Sequence, residues 1–473
     1  MAFGSSKNRQ PRLIFVSLDG TLAGNLLSPR QTVISVLPKL ISKSHNVVLL
    51  PSNGPGSDIS HTDRFLGGLC GWGTRRNVIA AYKLLAQTYQ PGDNIILSGY
   101  SRGAWAARYL ALIIEAIGLP EQSVNHKFFH LLYQECDKNP NFESTVTPEL
   151  NKFVCHRDVE IEALCCFDTV GSLGLPLYGI LRPLELIHRG RSRNDMVSNV
   201  AHNVKNAFHC LSIHETRAPY YPTYMRGRNV HQVFFPGNHS QLGWIDEQES
   251  FVHAALAWMI QQLHSHADIR FNDNELKKYF QMSQYPQNRI QHQESGPCYP
   301  WLSERVAPRQ AVVLALMGKK VRRLWKVPCT STLLHHEVGH GYVKRTSLGR
   351  ITGHDRPNVF HGVQVHIGAR LYKGDDPVPG YTHRSLGGGR HCWETHECTQ
   401  QPQQVDCNCT SGSNTERGSK TPTHRIYEAP VGKLEAELLG LSSWDGPCCD
   451  EPKKNWWDKV RDKFRTGNVR PVP

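Results

Sequence analysis

Asn94-Ile95-Ile96-Leu97-Ser98 is a short apolar run, and Gly99-Tyr100-Ser101-Arg102-Gly103 follows it directly. Pro91-Gly92-Asp93 before the run is a turn signal, and Ala104 to Ile114 after it reads as a mostly buried helix. The stretch therefore predicts a strand, a sharp turn and a helix, with Ser101 at the turn. Where a chain reverses within one residue and strand and helix pack closely, only glycine is tolerated two positions either side of the serine. Gly99 and Gly103 supply it. The serine Oγ then stands above the carboxyl edge of a sheet, as a nucleophile should.

Outward from this elbow, residues 12–18, Asn46-Val47-Val48-Leu49-Leu50, Glu162 to Phe167 and His231 to Phe235 read as further strands. Residues 75–89 place Val78, Ala81, Tyr82, Leu85 and Tyr89 on one helical face, and residues 199–212 and 251–263 also read as helices. Strands alternating with helices, with few hairpin signals, predict an α/β fold over residues 12–268: a mostly parallel sheet with helices on both faces. An irregular carboxyl-terminal extension follows. Residues 269–385 read as an appended mixed subdomain, and residues 386–423, rich in Gly, Gln, Ser, Thr and Pro, have too few apolar side chains to form a core and predict disorder. Residues 424–473 form a tail. Its end places Trp456, Trp457, Val460 and Phe464 on one helical face among Lys459, Arg461, Lys463 and Arg465, an amphipathic basic helix suited to docking on the domain or to an anionic membrane surface.

The 473 residues carry a formal charge of +13, part of it in Lys319, Lys320, Arg322, Arg323 and Lys326. No zinc-finger, RRM or helix-turn-helix pattern accompanies that run, so nucleic-acid binding is not expected. Met1 to Arg12 lacks an apolar signal-peptide core, and no run of about eighteen apolar residues occurs, so a soluble, intracellular, cytoplasmic protein is expected. The 14 cysteines do not form a disulfide framework in a chain this long, and Cys165 and Cys166 fall in an apolar strand where reduced thiols act as small hydrophobes.

A serine alcohol needs a histidine base, and the histidine needs a carboxylate to fix its tautomer and orientation. In hydrolases built on such a sheet these arrive in the chain order Ser, acid, His, each after a strand. Asp168 follows the strand ending at Phe167, and His239 follows the strand ending at Phe235. His209 and His214 compete for the base but sit on or just after the helix pattern of residues 199–212. The oxyanion needs two backbone donors: Arg102, next after the nucleophile, is the first, and Gly20 or Thr21 after the opening strand the second. No cofactor and no metal are called for.

Gly71-Trp72-Gly73 with Asn77 and Tyr82, Tyr89-Gln90-Pro91-Gly92-Asp93, Gly99 to Ala104 with Ala107-Arg108, Phe167 to Gly174, His209 with Glu215-Thr216-Arg217, and Phe235 to Ser240 occur in order. Over roughly residues 12–265 the chain thereby resembles the uncharacterised α/β-hydrolase family typified by type VI secretion phospholipase effectors. The resemblance implies a Ser–Asp–His triad on Ser101, Asp168 and His239, and hydrolysis of lipid or other carboxylic esters. Two stretches depart from the family pattern. Gln241-Leu242-Gly243-Trp244 stands where an aspartate and a glycine run usually follow the histidine, and the first strand continues Leu18-Asp19-Gly20-Thr21-Leu22-Ala23 in place of Phe-Asp-Gly-Thr-Trp-Asn.

Other patterns point elsewhere. Ser17-Leu18-Asp19-Gly20-Thr21-Leu22 resembles the haloacid-dehalogenase phosphatase signature but lacks its first aspartate, and Ser17 cannot replace that carboxylate nucleophile. His336-Glu337-Val338-Gly339-His340 is a literal H-E-x-x-H, weakened as a helix by Gly339 and Gly341. Cys392, Cys398, Cys407 and Cys409, with His391 and His396, lack paired C-x-x-C spacing. The leading reading is a serine hydrolase acting on carboxylic esters, phospholipids among them. A catalytically inactive interaction scaffold and a zinc peptidase using His336, Glu337 and His340 are the alternatives.

Overall fold

The computed structural model describes residues 10–19, 31–52, 72–121, 126–139, 142, 146–171, 197–215, 223–245, 251–281, 345–346, 350–351, 363–371, 377, 382–387, 389–395 and 424–441. Two compact units divide the chain: residues 1–211, 222–231 and 239–282 form the first, and residues 212–221, 232–238 and 283–473 the second. The basic run at 319–326, the H-E-x-x-H stretch at 336–340 and the amphipathic segment at 455–465 lie outside the described residues.

In the first unit, β1 (Leu13–Leu18), β2 (Val47–Ser52) and β3 (Asn94–Tyr100) belong to one sheet. A two-residue antiparallel ladder joins β4 (Leu119–Pro120) to β5 (Cys155–His156) apart from it. The sheet continues with β6 (Ile161–Phe167) and β7 (Val204–Ser212), giving the order β2-β1-β3-β6-β7. Every pairing among these strands is parallel. The register sets Leu18 beside Gly99, Tyr100 beside Phe167, and Phe167 beside Cys210, so the residues after β1, β3 and β6 leave the sheet at one carboxyl edge. In open α/β sheets that edge is where ligands bind.

Both faces are covered, which is why the strands read as continuous apolar runs. On one face Ile14, Val16, Ile95, Leu97 and Leu164 pack with Tyr82 and Leu85 of the helix Trp72–Thr88 and with Leu110 and Ile114 of the helix Arg102–Ile117. On the other, the Phe208 ring meets Trp258 of the helix Phe251–His266 edge-on at 6.3 Å, and the Cys210 thiol lies 3.7 Å from the Ala255 carbonyl. Each fully buried side chain of this kind contributes about 2 kcal/mol relative to exposure.

Residues 199–212, expected as a helix, instead contain β7. Ala201, Val204, Phe208 and Leu211 fit a helical spacing, but Ala207 to Leu211 are buried without interruption, as a strand between two covered faces requires. Tertiary burial overrode a period that suited either structure.

In the second unit, the last residues of β8 (Val230–Phe235) pair in parallel with β11 (Val363–Val365), and β9 (Arg345–Thr346) with β10 (Arg350–Ile351) forms a short antiparallel ladder. β12 (Thr382–Gly387), β13 (Arg390–Thr395) and β14 (His424–Tyr427) form an antiparallel sheet. The disorder expected from residue 386 onward is thus corrected for residues 386–387 and 390–395. Gly387 and Gly389, with φ of 80° and 73°, make a hairpin turn, and Cys392 and Trp393 are buried. Residues 396–423 lie outside the described residues. Among the described residues no helix is long and apolar enough to cross a membrane.

Candidate active site

Ser101 follows β3 directly and precedes the helix Arg102–Ile117, with φ 60° and ψ −125°. A non-glycine residue there costs about 1 kcal/mol or more and persists only where its surroundings dictate it. The two glycines show why. A Cβ on Gly103 would lie 2.0 Å from the Leu18 carbonyl oxygen, and one on Gly99 would lie 2.4 Å from the Gly103 oxygen. These are backbone atoms that cannot swing aside. Gly103→Ala should therefore destabilise the protein by about 3 kcal/mol, read as a fall in the thermal midpoint.

Asp168 leaves β6 at the same edge with φ 44°, and its N–H donates to the Cys210 carbonyl at 2.7 Å. His239 opens the short helix His239–Gly243. The three side chains meet: His239 Nε2 lies 2.9 Å from Ser101 Oγ, and His239 Nδ1 lies 2.7 Å from Asp168 Oδ2. Ser101, Asp168 and His239 are 7%, 0% and 3% exposed, so the chain of bonds is shielded from water. A carboxylate only accepts. Nδ1 therefore carries the hydrogen, and the Nε2 lone pair faces the serine hydroxyl.

The competing histidines are engaged elsewhere. His209 Nε2 accepts the Thr169 N–H at 3.1 Å, while His214 Nδ1 accepts the Gly237 N–H at 3.0 Å and its Nε2 lies 3.1 Å from the Pro377 carbonyl. Arg102 is the first residue of the helix after the elbow, so its N–H lies at a helix amino terminus. Gly20 and Thr21, the other oxyanion candidates, lie outside the described residues. Their neighbour Asp19 accepts a hydrogen bond from Thr32 Oγ1 at 2.7 Å.

Two contributors carried no sequence signal. The Tyr100 ring stacks on His239 with centroids 4.9 Å apart, and its hydroxyl donates to the His239 carbonyl at 2.9 Å. Gly243 makes room for that ring, since a Cβ there would lie 1.9 Å from Tyr100 Cζ. The stretch that departs from the family pattern after His239 is therefore a turn of helix with Gln241, Leu242 and Gly243 buried. Gly243→Ala should push Tyr100, and His239 with it, out of place. We expect about a 10²-fold loss of kcat/KM on an ester substrate.

Among the described residues no group of three or more His, Cys, Asp or Glu is placed to hold a metal ion. The described cysteines Cys136, Cys155, Cys165, Cys166, Cys210 and Cys392 are free thiols, and burial pushes the Cys166 thiol up to about 12, which keeps it unreactive.

A serine at a strand-to-helix elbow, with an aspartate after the neighbouring parallel strand and a histidine in reach, marks an α/β-hydrolase-like domain. Residues 12–262 match the family model described as T6SS, phospholipase effector Tle1-like, catalytic domain, and the chain belongs to that family. An uncharacterised Saccharomyces cerevisiae protein, YEL023C, is 31% identical over 170 residues, which cover 34% of this chain and 23% of the yeast protein. The Tle1 effector bound to the VgrG spike of the type 6 secretion system aligns with 16% identity and a TM-score of 0.28, covering 50% of this chain and 52% of that one. An uncharacterised protein from Pseudomonas aeruginosa aligns with 14% identity and a TM-score of 0.35, covering 71% of this chain and 55% of its own.

Proposed function

We propose that this protein is a serine hydrolase that cleaves carboxylic esters of lipids, phospholipids among them, through an acyl-enzyme on Ser101. The observation that carries the reading is the continuous buried chain from Ser101 Oγ through His239 to Asp168, at 2.9 Å and 2.7 Å. Membership of a family described by phospholipase effectors directs the choice of ester.

His239 Nε2 takes the Ser101 proton as Oγ bonds to the ester carbonyl carbon, and Asp168 stabilises the imidazolium that forms. The negative charge moves to the carbonyl oxygen, where the Arg102 N–H receives it. Collapse breaks the ester C–O bond, and the proton on Nε2 passes to the departing alkoxide. A water then gives its proton to Nε2 as its oxygen attacks the acyl carbon. The second collapse returns the proton to Ser101 Oγ and releases the carboxylic acid.

A fluorophosphonate probe tests this directly. It should label the wild type and leave Ser101→Ala unlabelled, and the same pair should differ in turnover of short-chain esters and phospholipid vesicles. Equal labelling of both, or none of either, would remove the hydrolase reading; the second result is what an inactive scaffold would give.

A further inference from the structure

The residues at the end of β6 are held amide by amide. After the Asp168 N–H on Cys210, the Thr169 N–H donates to His209 Nε2 at 3.1 Å and the Val170 N–H to the Ser101 carbonyl at 3.4 Å. The Thr169 carbonyl in turn accepts the Thr223 N–H at 2.8 Å. Thr169 is thus gripped on both sides of its backbone.

Two buried side chains stand behind these grips, and neither takes part in the chemistry above. His209, on β7, is fully buried, and because a backbone N–H only donates, its Nε2 is the unprotonated nitrogen. Arg108, on the helix that follows the elbow, donates from Nη1 to the Thr223 carbonyl at 2.5 Å, from Nη2 to Tyr224 O at 2.7 Å, and from Nε and Nη2 to Val197 O, the Nε bond at 2.9 Å. It is 2% exposed, and burial lowers its guanidinium to about 10. A cation kept in so costly a place and spent on backbone carbonyls is holding loops in position.

What those loops carry is the acid. Asp168 sits at φ 44°, in the left-handed region that aspartate visits more readily than most residues, so the direction of its carboxylate depends on how the backbone on either side is held. We propose that His209 and Arg108 are positioning residues for Asp168: His209 holds the Thr169 amide, Arg108 holds Thr223 against the Thr169 carbonyl, and together they aim the Asp168 carboxylate at His239 Nδ1. This rests on the hydrolase reading for its effect on turnover, and on geometry alone for its effect on the hydrogen bond.

The test uses the full chain with His209→Gln and His209→Asn. Glutamine places an acceptor oxygen where Nε2 stood, whereas the shorter asparagine stays polar but cannot reach the Thr169 N–H. Steady-state kinetics on a short-chain p-nitrophenyl ester and the far-downfield proton resonance of the His239 Nδ1–H on Asp168, assigned by its loss in His239→Gln, are read together. His209→Asn should lose about 10²-fold in kcat at little-changed KM and lose or shift the resonance, while His209→Gln keeps both. Arg108→Lys, which retains the charge but not the fork, should follow His209→Asn. An unchanged kcat and resonance in His209→Asn overturns the proposal, as does a kcat loss no larger than the loss of folded protein with the resonance intact. Absence of Ser101-dependent turnover in the wild type would fell the hydrolase reading, and the resonance in the variants would still decide the positioning claim. If His209→Asn does not fold, His209→Phe, which keeps a ring and removes the acceptor, takes its place under the same criteria.

Discussion

Ser101→Ala should lower kcat on an ester substrate by on the order of 10⁶-fold, and His239→Ala by a similar factor, with the double variant little worse than either. The non-additivity is the informative part. Ser101 Oγ is a weak nucleophile unless His239 Nε2, 2.9 Å away, can take its proton as the new bond forms. Without either partner the other contributes nothing to attack, so the two behave as one unit. Ser101→Ala keeps the β3-to-helix backbone intact, because Gly99 and Gly103 still provide the clearances, and the variant should melt close to the wild type. Single-turnover hydrolysis with a circular-dichroism control checks both halves of the expectation. Losses that multiply in the double variant would mean that the two side chains act separately.

Asp168→Asn should cost about 10⁴-fold in kcat while leaving the fold almost untouched. Asparagine is nearly isosteric and tolerates the positive φ of 44° that Asp168 adopts, so the backbone has no reason to move. The chemistry changes all the same. An amide NH₂ turned to Nδ1 makes that nitrogen an acceptor, which puts the ring hydrogen on Nε2, facing the serine hydroxyl. The imidazolium also loses the carboxylate 2.7 Å away that would stabilise it. Kinetics beside a thermal melt separate this from simple damage, and Asp168→Asn with wild-type turnover would exclude Asp168 as the orienting acid.

The elbow was legible because its constraints are local. A strand of Ile and Leu, glycines two residues either side of a serine, and an alanine-rich helix meet within a few residues, so spacing and residue size speak for themselves. The candidate partners were legible for a related reason: in a parallel sheet each strand ends at the same edge, so a residue just after a strand announces its position. Residues 199–212 read as a helix because Ala201, Val204, Phe208 and Leu211 satisfy a helical period, and only burial on both faces distinguishes the strand that actually forms. The hairpin of β12 and β13 was hidden in a polar composition that looks unable to form a core, although Gly387 and Gly389 are turn residues.

Tyr100, Gly243, His209 and Arg108 mark the other boundary. Tyr100 and His239 are 139 residues apart in sequence, and nothing in either local sequence says that one ring lies on the other. The Gly243 clearance exists only because that ring is there. From residue types and spacing alone came the candidate nucleophile, its two candidate partners and the layered α/β class, since each follows from short-range sterics and strand periodicity. Which histidine lies beside Ser101, which amides and carbonyls surround Asp168 and why the turn after His239 must be tight were decided by tertiary packing, where contacts depend on distances that chain order does not encode.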